Sequence, residues 1–167
     1  MRIIDSILAE LDQEAVTTKK VLERVPQDKL DWKPHEKSMT FGQLALHVAT
    51  TPGGVAEHMT KDEMEMPDLG NYDQPKTTEE ILSALDDSLS KARQILNDMD
   101  DKAAMSHLKI TKGGQEVMSM PKIGMARAIL LNHWYHHRGQ LCVYLRLQDL
   151  PVPAVYGPSA DENPFGG

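Results

Sequence analysis

Cysteine is almost absent from this 167-residue sequence, in which Cys142 is the only one. A single cysteine cannot form a disulfide within the chain, and it excludes the four-cysteine kind of structural zinc site. Methionine, in contrast, occurs ten times. Its flexible side chain suits a soft core, so this abundance indicates packing and no particular chemistry.

Basic residues are outnumbered in the chain. There are 18 Lys and Arg against 25 Asp and Glu, which gives a formal net charge of -7. Sequence-independent binding to nucleic acid normally needs a basic face, and the sequence contains no block of Lys and Arg. We therefore expect no nucleic-acid partner, and the acidity indicates a soluble protein.

Long uncharged apolar runs are also missing. The first residues, MRIIDSILAELDQE, carry Asp5, Glu10 and Asp12, which do not fit the apolar run of a signal peptide. No later segment is apolar over the length that a membrane span requires. The sequence therefore predicts a cytoplasmic protein that has no membrane partner.

Apolar residues recur at helical spacing in four segments of the chain. These segments start near Ile3, Phe41, Thr77 and Pro121, and Pro26 and Pro151 close the first and the last. Four amphipathic helices with little strand signal predict an all-α fold, a four-helix bundle. The length suits one domain with a sizeable core.

The connections between these helices carry further expectations. The segment 51–54, Thr-Pro-Gly-Gly, predicts a kink or an interruption of the second helix. The loop from Lys61 to Lys76 is long enough to cross the bundle. Residues 108–118 are compatible with a short hairpin around Gly113 and Gly114. We divide the chain into a bundle, residues 1–150, and a Pro/Gly-rich tail, residues 151–167, which either wraps the surface or is disordered.

Two histidines of the fourth helix, His133 and His137, carry the clearest chemical pattern. Residues four apart return to the same helix face, about 40° round and one turn along. Leu130 and Leu141 share that face, so we expect both imidazoles to point towards the core. Buried rings require polar partners, and one metal ion would serve both. The alternative is a chance spacing among the seven histidines of the chain.

His47 lies on the second helix, at the flank of its apolar stripe. A lone histidine in that position is more often a hydrogen-bonded core residue than a ligand. Together with His133 and His137, however, it completes a set of three. Three neutral nitrogen ligands with an open fourth position are typical of a reactive centre for a divalent transition metal.

The other candidate residues fit that centre less well. His136 lies about 100° round the helix from His137, and His58 lies about 16 Å along the helix from His47. Arg138, Gln140 and Glu57 could orient ligands or substrate, although ordinary surface or packing roles explain them as well. No residue stands out as a general base.

Two motifs together resemble those of the DinB family of metal-binding four-helix bundles. The first is residues 41–53, FGQLALHVATTPG, and the second is residues 132–141, NHWYHHRGQL. Residues 30–34, LDWKP, and Lys37-Ser38 resemble the loop that precedes the second helix in that family. The likeness extends over roughly the first 150 residues.

The resemblance implies a three-histidine site for a divalent metal, often zinc or nickel, at His47, His133 and His137. Some members of the family are transferases that use low-molecular-weight thiols, others resemble metal-dependent hydrolases, and many have no assigned activity. We therefore expect a metal-dependent enzyme acting on a small molecule, with thiol-dependent S-transfer as the preferred activity. The alternatives are a hydrolase and a non-catalytic metal or small-ligand binding protein. A homodimer is compatible with such a bundle.

Overall fold

The computed structural model of the protein describes residues 1–68 and 70–166, which are mostly helical. In chain order the elements are α1 (Asp5–Leu22), a 3-10 turn (Gln27–Lys29), α2 (Phe41–Met59), β1 (Glu63–Glu65), α3 (Thr78–Asp98), α4 (Asp101–Met105), β2 (His107–Lys112), β3 (Gln115–Pro121), α5 (Lys122–Met125), a π-helical segment (Ala126–His133) and α6 (Trp134–Leu147). The helical prediction agrees with this order, whereas α4 and β1 were not expected.

The long helices pack side by side around an apolar core. Helix α2 contacts α3 and α6, and α1 contacts the same two helices from the other side. Helix α5, the π-helical segment and α6 follow one another without a break. The largest fully buried apolar side chains come from all these helices and include Ile4, Leu11, Leu22, Phe41, Leu44, Met59, Ile81, Leu85, Leu96 and Trp134.

Threonine side chains cap the N-termini of α2 and α3. Thr40 accepts a hydrogen bond from the backbone N–H of Gln43, and the Gln43 side chain accepts one from the N–H of Thr40. Thr77 likewise accepts one from the N–H of Glu80. These bonds satisfy backbone donors that a helix start leaves free, and they set the point from which α2 carries His47.

Helix α2 continues through Pro52, so the predicted interruption is wrong. Proline has no N–H, and it therefore leaves the carbonyl of the residue four positions earlier, Val48, without its helical partner. The indole N–H of Trp134 donates to that carbonyl at 2.8 Å. A side chain from α6 thus replaces the missing bond, and the helix tolerates its proline.

Gly53 brings α3 close to the same turn of α2. Its backbone N–H donates to the Ser88 hydroxyl at 2.8 Å. A Cβ atom at this position would lie 2.8 Å from the Ser88 carbonyl oxygen and 2.9 Å from the Ser88 Cα. Because such distances are too short for real contacts, the approach of the two helices requires glycine here.

A three-stranded sheet, described in the order β1-β2-β3, lies beside the helices. Strands β2 and β3 pair antiparallel, and Gly113 and Gly114 in the turn have φ of 60° and 76°. The predicted hairpin is therefore confirmed, with a turn that favours glycine at both positions. Strand β1 pairs parallel to β2 and buries Met64.

The described part of the tail, residues 151–166, folds back on α1 and α6. Arg24 pairs with Glu162, and the Tyr156 hydroxyl accepts a hydrogen bond from Arg138 and donates one to Glu14. These contacts connect the tail with the buried pair that Arg138 and Glu14 form at 2.6 Å. None of the helices described here is long and apolar enough to cross a membrane.

Candidate metal centre

The structure brings His47, His133 and His137 together, although the first is 86 residues from the second in sequence. One ring nitrogen from each lies within 4.8 Å of the other two, and the Nε2 atoms of His47 and His133 are 3.2 Å apart. The ring centroids are 4.3 to 5.4 Å apart. We call these three residues the histidine cluster.

The cluster lies at the edge of the core and is partly buried. All three rings are half-buried, whereas the fully buried residues of the last helix are Leu130, Leu131, Trp134, Arg138, Leu141 and Leu145. The π-helical segment, which adds about one residue to each turn, ends at His133. From Trp134 onward the helix has α geometry, so His133 and His137 remain one turn apart.

The hydrogen bond between Trp134 and Val48 aligns the two helices that carry the cluster. Trp134 directly follows His133, and Val48 directly follows His47. A fixed contact between these neighbours sets how far α6 can slide along α2. Sequence reasoning did not find this role, although Pro52 marks Val48 as the carbonyl that needs an outside donor.

The donor set fits a transition-metal ion. Imidazole nitrogens are common ligands of zinc, nickel and copper, and zinc lies about 2.0–2.1 Å from each nitrogen. Two ligands of a tetrahedral ion at that distance are about 3.3 Å apart. The separation of 3.2 Å between the Nε2 atoms of His47 and His133 is close to this value.

Gln140 fixes the orientation of the His137 ring. The Gln140 side-chain oxygen lies 2.7 Å from Nδ1 of His137, where it can only accept a hydrogen bond. This contact assigns the proton to Nδ1 and leaves the lone pair of Nε2 free for a metal. Of the three residues considered as orienting groups, Gln140 is the one that contacts the cluster.

Burial keeps the cluster uncharged near neutral pH. It lowers the pKa of His47 to about 4, with smaller contributions from the neighbouring His137 and His133. Burial also lowers the pKa of His133 and of His137, although the hydrogen bond to Gln140 opposes the shift in His137. Neutral imidazole is the form that binds a metal.

We expect Gln140→Ala to weaken metal binding by about 10- to 100-fold, the usual effect of removing such an outer partner. The ring of His137 would lose the bond that fixes its orientation and its tautomer. Competition with a chelator of known affinity measures the change. Gln94→Ala, an exposed glutamine of α3, is the matched control. Equal affinities for both variants would show that the Gln140 contact has no part in metal binding.

The other predicted candidates lie outside the cluster. Arg138 is 1% exposed and bonds to Glu14, Thr18 and Tyr156, so it connects α1, α6 and the tail. Glu57 pairs with Lys91 at the surface. Trp32 packs edge-on against two aromatic rings in the core. Among the described residues, no fourth His, Cys, Asp or Glu joins the three histidines as a ligand group.

Two cavities of different character border the cluster, and both include His47. One has a volume of about 170 Å³ and is lined mainly by polar residues, among them Gln43, Asn71 and Asp73. The other has a volume of about 420 Å³ and extends along α2 past His133, under the sheet. Strand residues such as Met64 and Ile110 line it, and the short strands gave too little sequence pattern to predict this.

Comparison with known proteins supports the resemblance seen in the two motifs. The chain is 26% identical over 159 residues to the uncharacterized protein YrdA of Bacillus subtilis strain 168, which covers 95% of this chain and 91% of YrdA. A DinB-like protein from Bacillus cereus ATCC 10987 has a similar fold, with a TM-score of 0.71 at 23% identity over 91% of this chain and 97% of that one.

A second solved structure, the DinB-like protein YjoA of Bacillus subtilis, gives a TM-score of 0.68 at 16% identity and covers 90% of this chain and 96% of its own. At these identities the two structures establish the fold alone. The sequence profile of the DinB family, however, matches residues 2–164, nearly the whole chain. The protein belongs to the DinB family.

Proposed function

We propose that the protein is a metal-dependent enzyme, a thiol-dependent S-transferase, built as a DinB-type four-helix bundle over residues 1–150 with a tail at 151–167. His47, His133 and His137 hold one divalent transition-metal ion, zinc or nickel. A low-molecular-weight thiol and a small electrophilic molecule are the two substrates.

The two cavities that meet at His47 are the observation that carries this proposal. One is lined mainly by polar residues and the other mainly by apolar ones. A transferase that joins a polar thiol to a less polar molecule needs both substrates beside the same centre. A hydrolase needs one substrate and water, so a second cavity of opposite character gives it no advantage.

The histidine cluster also suits catalysis better than a purely structural role. Structural zinc normally has four protein ligands, whereas reactive zinc has three and an open position. Within residues 1–68 and 70–166, the ligand group contains three histidines and no fourth member. A divalent ion held there would lower the pKa of a bound thiol or water and polarise an electrophile.

The protein side chains of this site act by holding and orienting. Gln140 keeps the proton of His137 on Nδ1, and the bond from Trp134 to Val48 sets the spacing between His47 and His133. Burial keeps His47 neutral. Cobalt substitution followed by thiol titration tests the proposal, with the apo protein as the control.

Acid should remove the metal. Protons compete with the ion for the three imidazoles, so occupancy is complete above the free-histidine pKa of about 6.5 and falls as the pH decreases below it. The pKa of His47 is already lowered to about 4, and tight metal binding opposes protonation further. Both effects place the midpoint of metal release well below pH 6.5. Elemental analysis after dialysis across a pH series measures this. Full occupancy at about pH 3 would contradict an all-histidine site.

A further inference from the structure

The larger cavity beside the histidine cluster has a mainly apolar wall. His47 and His133 lie at one end, and His58 lies farther along α2. The apolar side chains between them are Val55, Met64, Met66, Ile110, Met125 and Ile129. Its volume of about 420 Å³ falls within the usual range of small-molecule sites, about 300–1,000 Å³.

No residue of this wall carries a formal charge near neutral pH. The lining contains no Lys, Arg, Asp or Glu. His58 lies in this wall outside the histidine cluster, and burial lowers its pKa, so its ring is neutral. In the wall beyond the histidine cluster, no side chain offers an opposite charge to a phosphate, carboxylate or ammonium group, so the desolvation of such a group there would be unfavourable.

The hydroxyl groups in the wall already have partners. Thr50 donates to the carbonyl of Leu46 at 2.9 Å, and Thr51 donates to the carbonyl of His47 at 2.6 Å. The buried Nδ1 of His58, in contrast, has no hydrogen-bond partner among the described residues. The cavity therefore presents few unpaired polar groups to a ligand. These groups lie at its two ends, at the histidine cluster and at His58.

We propose that this cavity binds an uncharged, largely apolar small molecule, with one end at the histidine cluster. His47 and His58 are eleven positions apart on the helix, which corresponds to about 16 Å and sets the longest ligand that fits between them. Three methionines in the wall can adapt to the shape of a ligand. The cavity therefore selects ligands by their polarity more than by their shape. That this molecule is the electrophile of S-transfer rests on the proposed function, whereas the binding itself does not.

The test uses two fluorescent probes with the same aromatic core. N-phenyl-1-naphthylamine is neutral, and 8-anilino-1-naphthalenesulfonate adds one negative charge. High salt screens the net charge of -7, so that the comparison reports the cavity. We expect the neutral probe to bind at least tenfold more tightly than the anion.

Gly54→Leu adds a large side chain at the wall of the cavity and should weaken binding of the neutral probe at least tenfold. Gly54 is helical and exposed, and a Cβ there meets no atom within 4 Å, so the helix accepts the change. Gly139→Leu is the matched control, because Gly139 is also helical, exposed and open but lies outside this cavity. Met66→Glu is a second test, since it introduces a charge at a residue that is 36% exposed.

The outcomes separate this inference from the proposed function. The inference is supported if Gly54→Leu and Met66→Glu bind the neutral probe more weakly while Gly139→Leu keeps the wild-type affinity. This holds even if no thiol chemistry is found. Wild-type affinity in both cavity variants overturns it, as does tighter binding of the anion, even if thiol transfer occurs. Circular dichroism of each variant verifies the fold, and a Gly54→Leu variant that fails to fold leaves Met66→Glu to decide.

Discussion

The double substitution His133→Ala/His137→Ala is expected to reduce the metal content from about one ion per chain to a trace. Each alanine removes one of three nitrogen donors, and the remaining His47 cannot hold an ion alone at ordinary concentrations. Either single substitution should also remove most of the metal. Elemental analysis of untagged protein gives the measurement.

Two other histidines provide matched controls. His58 lies in the cavity wall outside the ligand group, and His136 is exposed although its ring is 5.1 Å from that of His137. His58→Ala and His136→Ala should keep the full metal content. If the double variant at positions 133 and 137 retained its metal, the histidine cluster would not be the metal site.

The metal-loaded protein is expected to bind low-molecular-weight thiols and to accelerate their addition to an electrophile. Sulfur is a good ligand for zinc-like metals, and three histidines leave a position for it. In cobalt-substituted protein, an added thiol should produce a sulfur-to-metal charge-transfer band. The apo protein should show neither the band nor the rate, so the expected contrast is close to complete.

The choice of thiol matters in this experiment. A panel of several thiols is required, because cysteine or glutathione alone does not cover the class. Turnover of simple esters or amides without any thiol effect on the cobalt spectrum would favour the hydrolase alternative. A four-coordinate site with protein ligands only, and neither activity, would leave the non-catalytic binding alternative.

The pairing of His133 with His137 could be predicted because its signal is local. The spacing of His133 and His137 places them on one helix face, and α geometry from Trp134 onward preserves that relation. His47 has no such partner on its own helix, so its prediction depended on combining it with the other two histidines, and the likeness to a known family then supported it. The rings are less buried than expected: Leu141, one α-helical turn after His137, is fully buried, whereas His137 is half-buried.

The continuity of α2 could not be predicted from local rules. A proline within a helix normally predicts a break, and only the position of Trp134 in the folded chain shows what compensates for it. The apolar cavity could not be predicted from the sequence either. Two of its wall residues, Met64 and Ile110, come from short strands whose pairing joins distant parts of the sequence.

Pro52 also has a consequence for how the site can change during evolution. The spacing between the two helices that carry the histidine cluster is set by a hydrogen bond to a main-chain oxygen, which every residue at position 48 supplies. The neighbouring cavity is lined by methionines and aliphatic residues, which tolerate exchange when volume is kept. Under the proposed function, substitutions in the cavity wall can therefore change the substrate range while the three histidines keep their geometry.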